Sequence, residues 1–170
     1  TFKHFNDVEP GKFNNKTNGI TQRRFLKLAN PRLSDLISDR IGNKWVTNLE
    51  ELKKIEKYVN DEDFTVSWDS VKKANKQRLI KFIESNYPVK LNLYSIFDSQ
   101  IKRFHEYKSQ LLNVLQAITL YSRLKENPTA MHLPRTIIFS GKAAPSYYMS
   151  KLIIKLINSV AEIVNNDKDI

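Results

Sequence analysis

Beyond Pro88 the sequence alternates between two kinds of apolar pattern, and this alternation limits the available folds more than any other feature. "VKLNLYSIFDSQIKR" (residues 89–103) is rich in β-formers, although its alternation is imperfect. A helical apolar period then runs from about 105 to 126. Pro134 precedes "RTIIFSGK", a short apolar run closed by Gly141, which reads as a buried strand. "SYYMSKLIIKLINSVAEIV" follows as a strongly apolar helix over 147–164. Strand, helix, strand, helix is the order of a parallel sheet covered by helices, so the expected class is α/β.

The first half reads differently. Residues 1–21 have little periodicity and contain Pro10, Gly11 and Gly19, which predicts mostly loop. "ANPRLSDLISDRIG" predicts a helix with Asn30 as N-cap, Pro31 at the first position and Gly42 past the end. "TNLEELKKIEKYV" opens on the Thr47–Glu50 spacing of a capping box, with an apolar stripe at 49, 52, 55 and 59. A longer helix is expected over 63–86, with Val71, Leu79, Phe82 and Ile83 facing inward, before Pro88 breaks it. The expected organisation is one incomplete domain: a loop and helical segment over 1–88 and a partial α/β unit over 89–170. The chain starts at Thr1 and ends in "NNDKDI", and it reads as a piece of something longer.

Composition adds exclusions. With 41% hydrophobic and 27% charged residues, the 170-residue chain matches a globular domain with its own core rather than a disordered one. No apolar run is long enough to span a bilayer, and no signal-peptide pattern is present, so the expected location is cytoplasmic. Cysteine is absent, which removes disulfides and thiolate metal sites, and no metal site is expected. The formal charge of +10 raises nucleic acid as a partner. Its pattern weakens that reading, because basic and acidic residues interleave in "LEELKKIEK" and "DRIGNK".

Charge does concentrate in "IKRFHEYKSQLLN" (101–113), where Lys102, Arg103, His105 and Lys108 fall within seven residues. If the helix runs from Phe104, positions 104, 108, 111, 115 and 118 share a face, and Lys108 interrupts an apolar stripe. Lys102 and Arg103 stand where the strand should end. Ligands of open α/β sheets bind beyond the carboxyl ends of strands, and anions favour helix N-termini. Repulsion among the cations is costly unless an anion sits between them, and phosphate suits the Arg fork and the Lys point charges. The alternative is a solvated basic patch offset in part by Glu106. His105 by itself reads more simply as a hydrogen-bonded structural histidine, and Tyr107 as a core-edge aromatic.

The same residues carry a resemblance. "KRFHEYKSQLLN" resembles the Lys-Arg-x-His-Glu-Tyr-Lys-Arg-Gln-Leu-Leu-Asn segment of the α-glucan phosphorylases, the family of glycogen, starch and maltodextrin phosphorylase. "NKTNGITQRRFLKLANPRL" resembles the family's Lys-Thr-Asn-Gly-Ile-Thr-Pro-Arg-Arg-Trp segment. "PRTIIFSGKAAPSYYMSKLIIKLI" resembles its Pro-Arg-x-x-x-x-Gly-Lys-Ala-Ala-Pro-Gly-Tyr segment. The motifs occur in the family's order.

The resemblance implies a parent enzyme several times longer, with two Rossmann-like domains facing a deep cleft. This chain would come from the start of the C-terminal, cofactor-binding domain. Such enzymes transfer the terminal glucosyl unit of an α-1,4-glucan to inorganic phosphate, giving glucose 1-phosphate. They carry pyridoxal phosphate on a lysine, here expected outside the chain, and the cofactor's phosphate exchanges a proton with the substrate phosphate. By position, Arg103 and Lys108 are the implied catalytic residues that bind the substrate phosphate. Lys102 is an implied contact to the cofactor phosphate, with Lys108 beside it. Asn18 and Tyr107 are implied to hydrogen-bond glucose hydroxyls. His105 belongs with this substrate-binding group, as the family histidine that positions an acidic loop from elsewhere in the enzyme. Tyr147 matches an aromatic at the cleft entrance. A homodimeric parent is implied as well.

Four positions depart from the family pattern. Phe25 replaces a Trp beside the cofactor, Gln22 a Pro, Ser109 an Arg and Ser146 a Gly. None removes a phosphate-binding group. Gly141-Lys142 lacks the upstream glycine of a phosphate loop and reads as a tight strand-to-helix turn. The competing reading is a non-catalytic basic module for polyanions or nucleic acid, with its cations spread over a convex face and aromatics between them.

Overall fold

The computed structural model describes residues 2–16, 18–129 and 133–169. They divide into two compact units, Thr1–Asn75 and Lys76–Ile170, with the boundary inside one long helix.

The first unit is helical. A short helix α1 (Lys3–Val8) buries nothing, and its flanking Phe2 ring stacks on Phe13 at 5.7 Å. Apart from α1, the described residues up to Thr21 lie outside helix and strand, so this stretch is mostly loop as expected. A π-helical turn (Arg23–Leu28) leads into α2 (Pro31–Ile41). As expected, Pro31 opens α2 and Gly42 follows it with φ of +77°, a conformation that suits glycine. Asn30 caps with no side-chain bond, and its Oδ1 instead accepts from Asn75 Nδ2 at 2.9 Å. Leu33, Ile37 and Trp45 form the buried centre, with Leu26, Ile41, Leu52, Ile55 and Trp68 packed around it. Trp45 is fully buried, and its indole N–H donates to Ser38 Oγ at 3.1 Å.

Two expectations fail in this half. The Thr47–Glu50 capping box does not form. Asn48 is the cap of a 3-10 helix (Leu49–Tyr58), while Thr47 Oγ1 turns back to the Lys44 carbonyl at 3.3 Å and closes the preceding turn. The long helix α3 (Glu62–Asn86) forms, capped by Asp61, whose Oδ1 accepts from the Phe64 N–H at 2.9 Å. Its inward face is shorter than the period predicts. Phe64 is buried and Val71 packs on the core, but Leu79 and Phe82 are exposed. The apolar cluster that could cover a helix face lies against the earlier turns of α3.

The second unit has the expected α/β order. Strand β1 (Ile96–Ile101) pairs in parallel with β2 (Arg135–Ser140), from Ile96 opposite Arg135 to Ile101 opposite Ser140. Helix α4 (Gln110–Glu126) connects them, and α5 (Tyr148–Asn166) follows β2. Helices α4 and α5 pack together. At their C-terminal ends Tyr121 Oη donates to Asp167 Oδ2 at 2.6 Å, and Lys125 pairs with Asp167 and Asp169. The two-stranded sheet is only half-buried, so β2 is not the fully buried strand its apolar run suggests.

The start of α4 corrects the sequence reading most. A helix from about 105 does not form. Glu106–Lys108 make a 3-10 turn, Ser109 adopts a left-handed conformation at φ +62°, and α4 begins at Gln110. An α-helix cannot pass through a left-handed residue. Phe104 and Lys108 therefore do not share the α4 face, and Lys108 interrupts no stripe. Leu111 and Leu115 are exposed, while Gln110 and Val114 are buried.

Candidate functional site

The site is assembled at the carboxyl end of β1. The strand ends at Ile101, and the segment 102–108 carries its basic side chains on the connection to α4. Phe104 anchors this segment. Its ring is buried, and its carbonyl accepts from the fully buried Ser150 hydroxyl of α5 at 2.8 Å. The β2–α5 turn approaches closely from beside it. A Cβ placed on Gly141 would lie 1.9 Å from the Lys102 carbonyl oxygen, so only glycine fits. This agrees with reading "SGKAAPS" as a tight turn.

On this frame Lys102 and Arg103 are exposed and Lys108 is half-buried. No side chain of the three pairs with a carboxylate among the described residues. The Lys108 ammonium sits over the Tyr107 ring, 4.7 Å from its centre, a contact that restricts a long flexible side chain. Cations left without internal acidic partners are suited to an external anion.

His105 has a defined structural role. Its Nδ1 accepts from the Tyr107 N–H at 3.3 Å, capping the 3-10 turn, so the neutral ring carries its proton on Nε2. Its ring also meets those of Tyr107 and Tyr147, at 4.3 and 4.8 Å between centres. Tyr147 is held by Glu106: its hydroxyl donates to Oε2 at 2.5 Å and accepts from the Glu106 N–H at 3.3 Å. The carboxylate beside the phenol raises the Tyr147 pKa.

Lys102, Arg103, His105, Tyr107 and Lys108 thus share one segment of the second unit. Asn18 belongs to the first unit, in an exposed stretch outside regular structure. Phe25 lies in that unit as well and lines an apolar groove of about 380 Å³ with Ile20, Gln22, Leu26 and Leu52. Lys53, which also lines the groove, is paired with Glu50 there, and Gln22 donates to the Val46 carbonyl. Among the described residues no group of His, Asp or Glu is placed to hold a metal ion, and no helix is long and apolar enough to cross a membrane.

Sequence reasoning missed the uncharged groups that hold this segment: Ser150, Gln100, Gln110 and Asn113. One signal was available. Gln110 and Asn113 are polar residues sharing a face of α4 with the buried Val114, and buried amides take backbone partners.

The carbohydrate phosphorylase family profile matches residues 1–170. The liver form of glycogen phosphorylase from Bos taurus is 53% identical over 166 residues, covering 98% of this chain and 20% of that protein. The human liver form is 52% identical and the rabbit (Oryctolagus cuniculus) muscle form 49% identical over the same coverage. The chain therefore spans about a fifth of the length of these relatives.

Proposed function

We propose that this chain, which belongs to the carbohydrate phosphorylase family, is part of a longer α-1,4-glucan phosphorylase. Such a parent is a glycosyltransferase that uses inorganic phosphate to release glucose 1-phosphate from glycogen, starch or maltodextrin. The observation that carries the reading is the 102–108 segment, with three basic side chains beyond a strand's carboxyl end and no carboxylate partner among the described residues.

Phosphorolysis breaks the bond between the anomeric carbon and the glycosidic oxygen. The leaving oxygen gains a proton, and a phosphate oxygen bonds to the anomeric carbon. In this reading Arg103 gives the substrate phosphate a planar fork and Lys108 a point charge. Their fixed positive charge stabilises the phosphate while the glycosyl bond breaks. Lys102 and Lys108 would hold the phosphate of pyridoxal phosphate, whose lysine is expected outside this chain. When bound, that cofactor supplies a phosphate group that exchanges a proton with the substrate phosphate. The donor set fits, since phosphates require several cations and these three have no carboxylate partner among the described residues. Asn18 and Tyr107 hydrogen-bond glucose hydroxyls. His105, its Nδ1 engaged by the Tyr107 N–H, keeps Nε2 for sugar or an acidic loop.

The proposed parent has two Rossmann-like domains, is cytoplasmic and homodimeric, and contains this chain at the start of its second domain. Residues 1–88 supply the loop and helical part and 89–170 the partial α/β unit. A polyanion-binding module is supported neither by the family nor by the relatives' names.

The test begins with the natural protein. An intact mass well above 19.9 kDa, pyridoxal absorbance and glucan-dependent phosphate consumption are expected. Arg103→Ala is expected to lower kcat/KM for phosphate by about 100-fold. A 19.9 kDa natural protein without absorbance or turnover would overturn the proposal.

A further inference from the structure

The segment carrying Lys102, Arg103 and Lys108 is paired along both edges, although the described sheet offers it a strand on only one. On the β2 side the ladder continues past the strand end. The Lys102 N–H donates to the Ser140 carbonyl and the Phe104 N–H to the Lys142 carbonyl, both at 3.0 Å. On the other edge a side chain takes the place of a strand. Gln110 Nε2 donates to the Arg103 carbonyl at 3.0 Å, and its Oε1 accepts from the His105 N–H at 3.4 Å. A parallel neighbour would make the same pair of bonds, one to the carbonyl before Phe104 and one to the N–H after it.

A second amide holds the far end. Gln100 Nε2 donates to the Lys108 carbonyl at 2.8 Å, and its Oε1 accepts from Asn113 Nδ2 at 3.1 Å. Gln110 is 1% exposed, so water does not compete for its bonds. These amides carry no charge. Their side-chain bonds end on the backbone of the cationic segment or on each other, so what they contribute is geometry.

We infer that Gln110, Gln100 and Asn113 are positioning residues that fix the backbone of Arg103 and Lys108 and so preset the phosphate-binding cations. The inference rests on the phosphate site proposed above and deepens it. Clustered cations repel, and an untethered segment relieves that repulsion by spreading. Held in place, the cations meet an anion without having to be gathered first. Gln110 sets the path of the chain on either side of Phe104. The Gln100–Asn113 pair fixes the Lys108 carbonyl just before the left-handed Ser109 that caps α4.

The test uses the whole phosphorylase that carries this chain. Gln110→Leu keeps the bulk and removes both bonds. It is expected to raise KM for phosphate about tenfold while KM for glucan holds. The His105 amide is expected to exchange with solvent about tenfold faster. If Gln110→Leu does not fold, Gln100→Leu tests the Lys108 end, with an expected rise in phosphate KM of about threefold. Unchanged phosphate KM in whichever of these folds overturns the inference, as does an equal rise in both KM values, which would mark general loosening. Arg103→Ala separates the two failures. If it leaves phosphate KM unchanged, the phosphate-site reading falls and takes the positioning role with it. If it raises phosphate KM and the glutamine variants do not, only the positioning role falls.

Discussion

The two units bury different things. The first removes Leu33, Ile37, Trp45 and Phe64 from water, and of its polar side chains Ser34 and Gln22, with Gln22 Nε2 donating to the Val46 carbonyl, so its buried set is chiefly apolar. In the second, Phe104, Val114 and Ile153 are joined inside by Ser95, Gln110 and Ser150. Gln110 and Ser150 bond to the backbone of the 103–105 segment, and Ser95 bonds to the Asn92 carbonyl and the Thr136 hydroxyl. Apolar burial drives collapse and is tolerant of detail. Buried polar groups contribute little net stability but fix geometry, since each costs free energy unless its partner is in place. One unit is built to be stable, and the other also holds a short segment in a particular shape.

The comparison can be broken in three ways, starting with the largest effect. Trp45→Ala removes the largest fully buried side chain of the first unit and should cost about 3–5 kcal/mol, read by denaturant unfolding. At temperatures where the variant stays folded, phosphate KM in the parent enzyme should not change. A large change would show that the first unit also serves geometry. Gly141→Ala makes the opposite trade. Its Cβ would collide with the Lys102 carbonyl, for a cost of about 1–3 kcal/mol, and phosphate KM should rise along with the loss of stability.

The smallest effect concerns Asp167. Tyr121 Oη, the Asp169 N–H and the Lys125 ammonium stabilise its carboxylate and lower its pKa to about 2. The folded pKa is below the unfolded one, so this contribution is fully present above about pH 4 and is lost as pH falls towards 2. Unfolding midpoints of the natural protein and Asp167→Asn should therefore converge on acidification through that window. Midpoints that stay equally far apart would show that the cluster at the ends of α4 and α5 is not what titrates.

Much of this architecture was legible because local signals and burial agreed. Pro31 and Gly42 bounded α2, and the apolar run 135–140 with its closing glycine gave β2. The failures occurred where a local signal had a competitor. Thr47 had the spacing of a capping box but found a nearer carbonyl at Lys44. Leu79 and Phe82 continued the period of α3 beyond the apolar cluster that covers its earlier turns. The helix expected from about 105 was stopped at Ser109, a non-glycine residue in a left-handed conformation, which helix periodicity gives no reason to expect.

The candidate site divides along the same line. Sequence by itself identified the basic residues and the family they resemble, because residue type and spacing are enough to recognise a long motif. It also placed Lys102 and Arg103 where a strand should end, since the stretch rich in β-formers stops there. Only the tertiary structure decided which uncharged groups hold those cations. Gln110 meets Arg103 and His105 across a tight reversal of the chain, and Ser150 reaches Phe104 from a helix 46 residues further on. A hydrogen bond depends on where two atoms lie in space, and periodicity along the chain does not encode that.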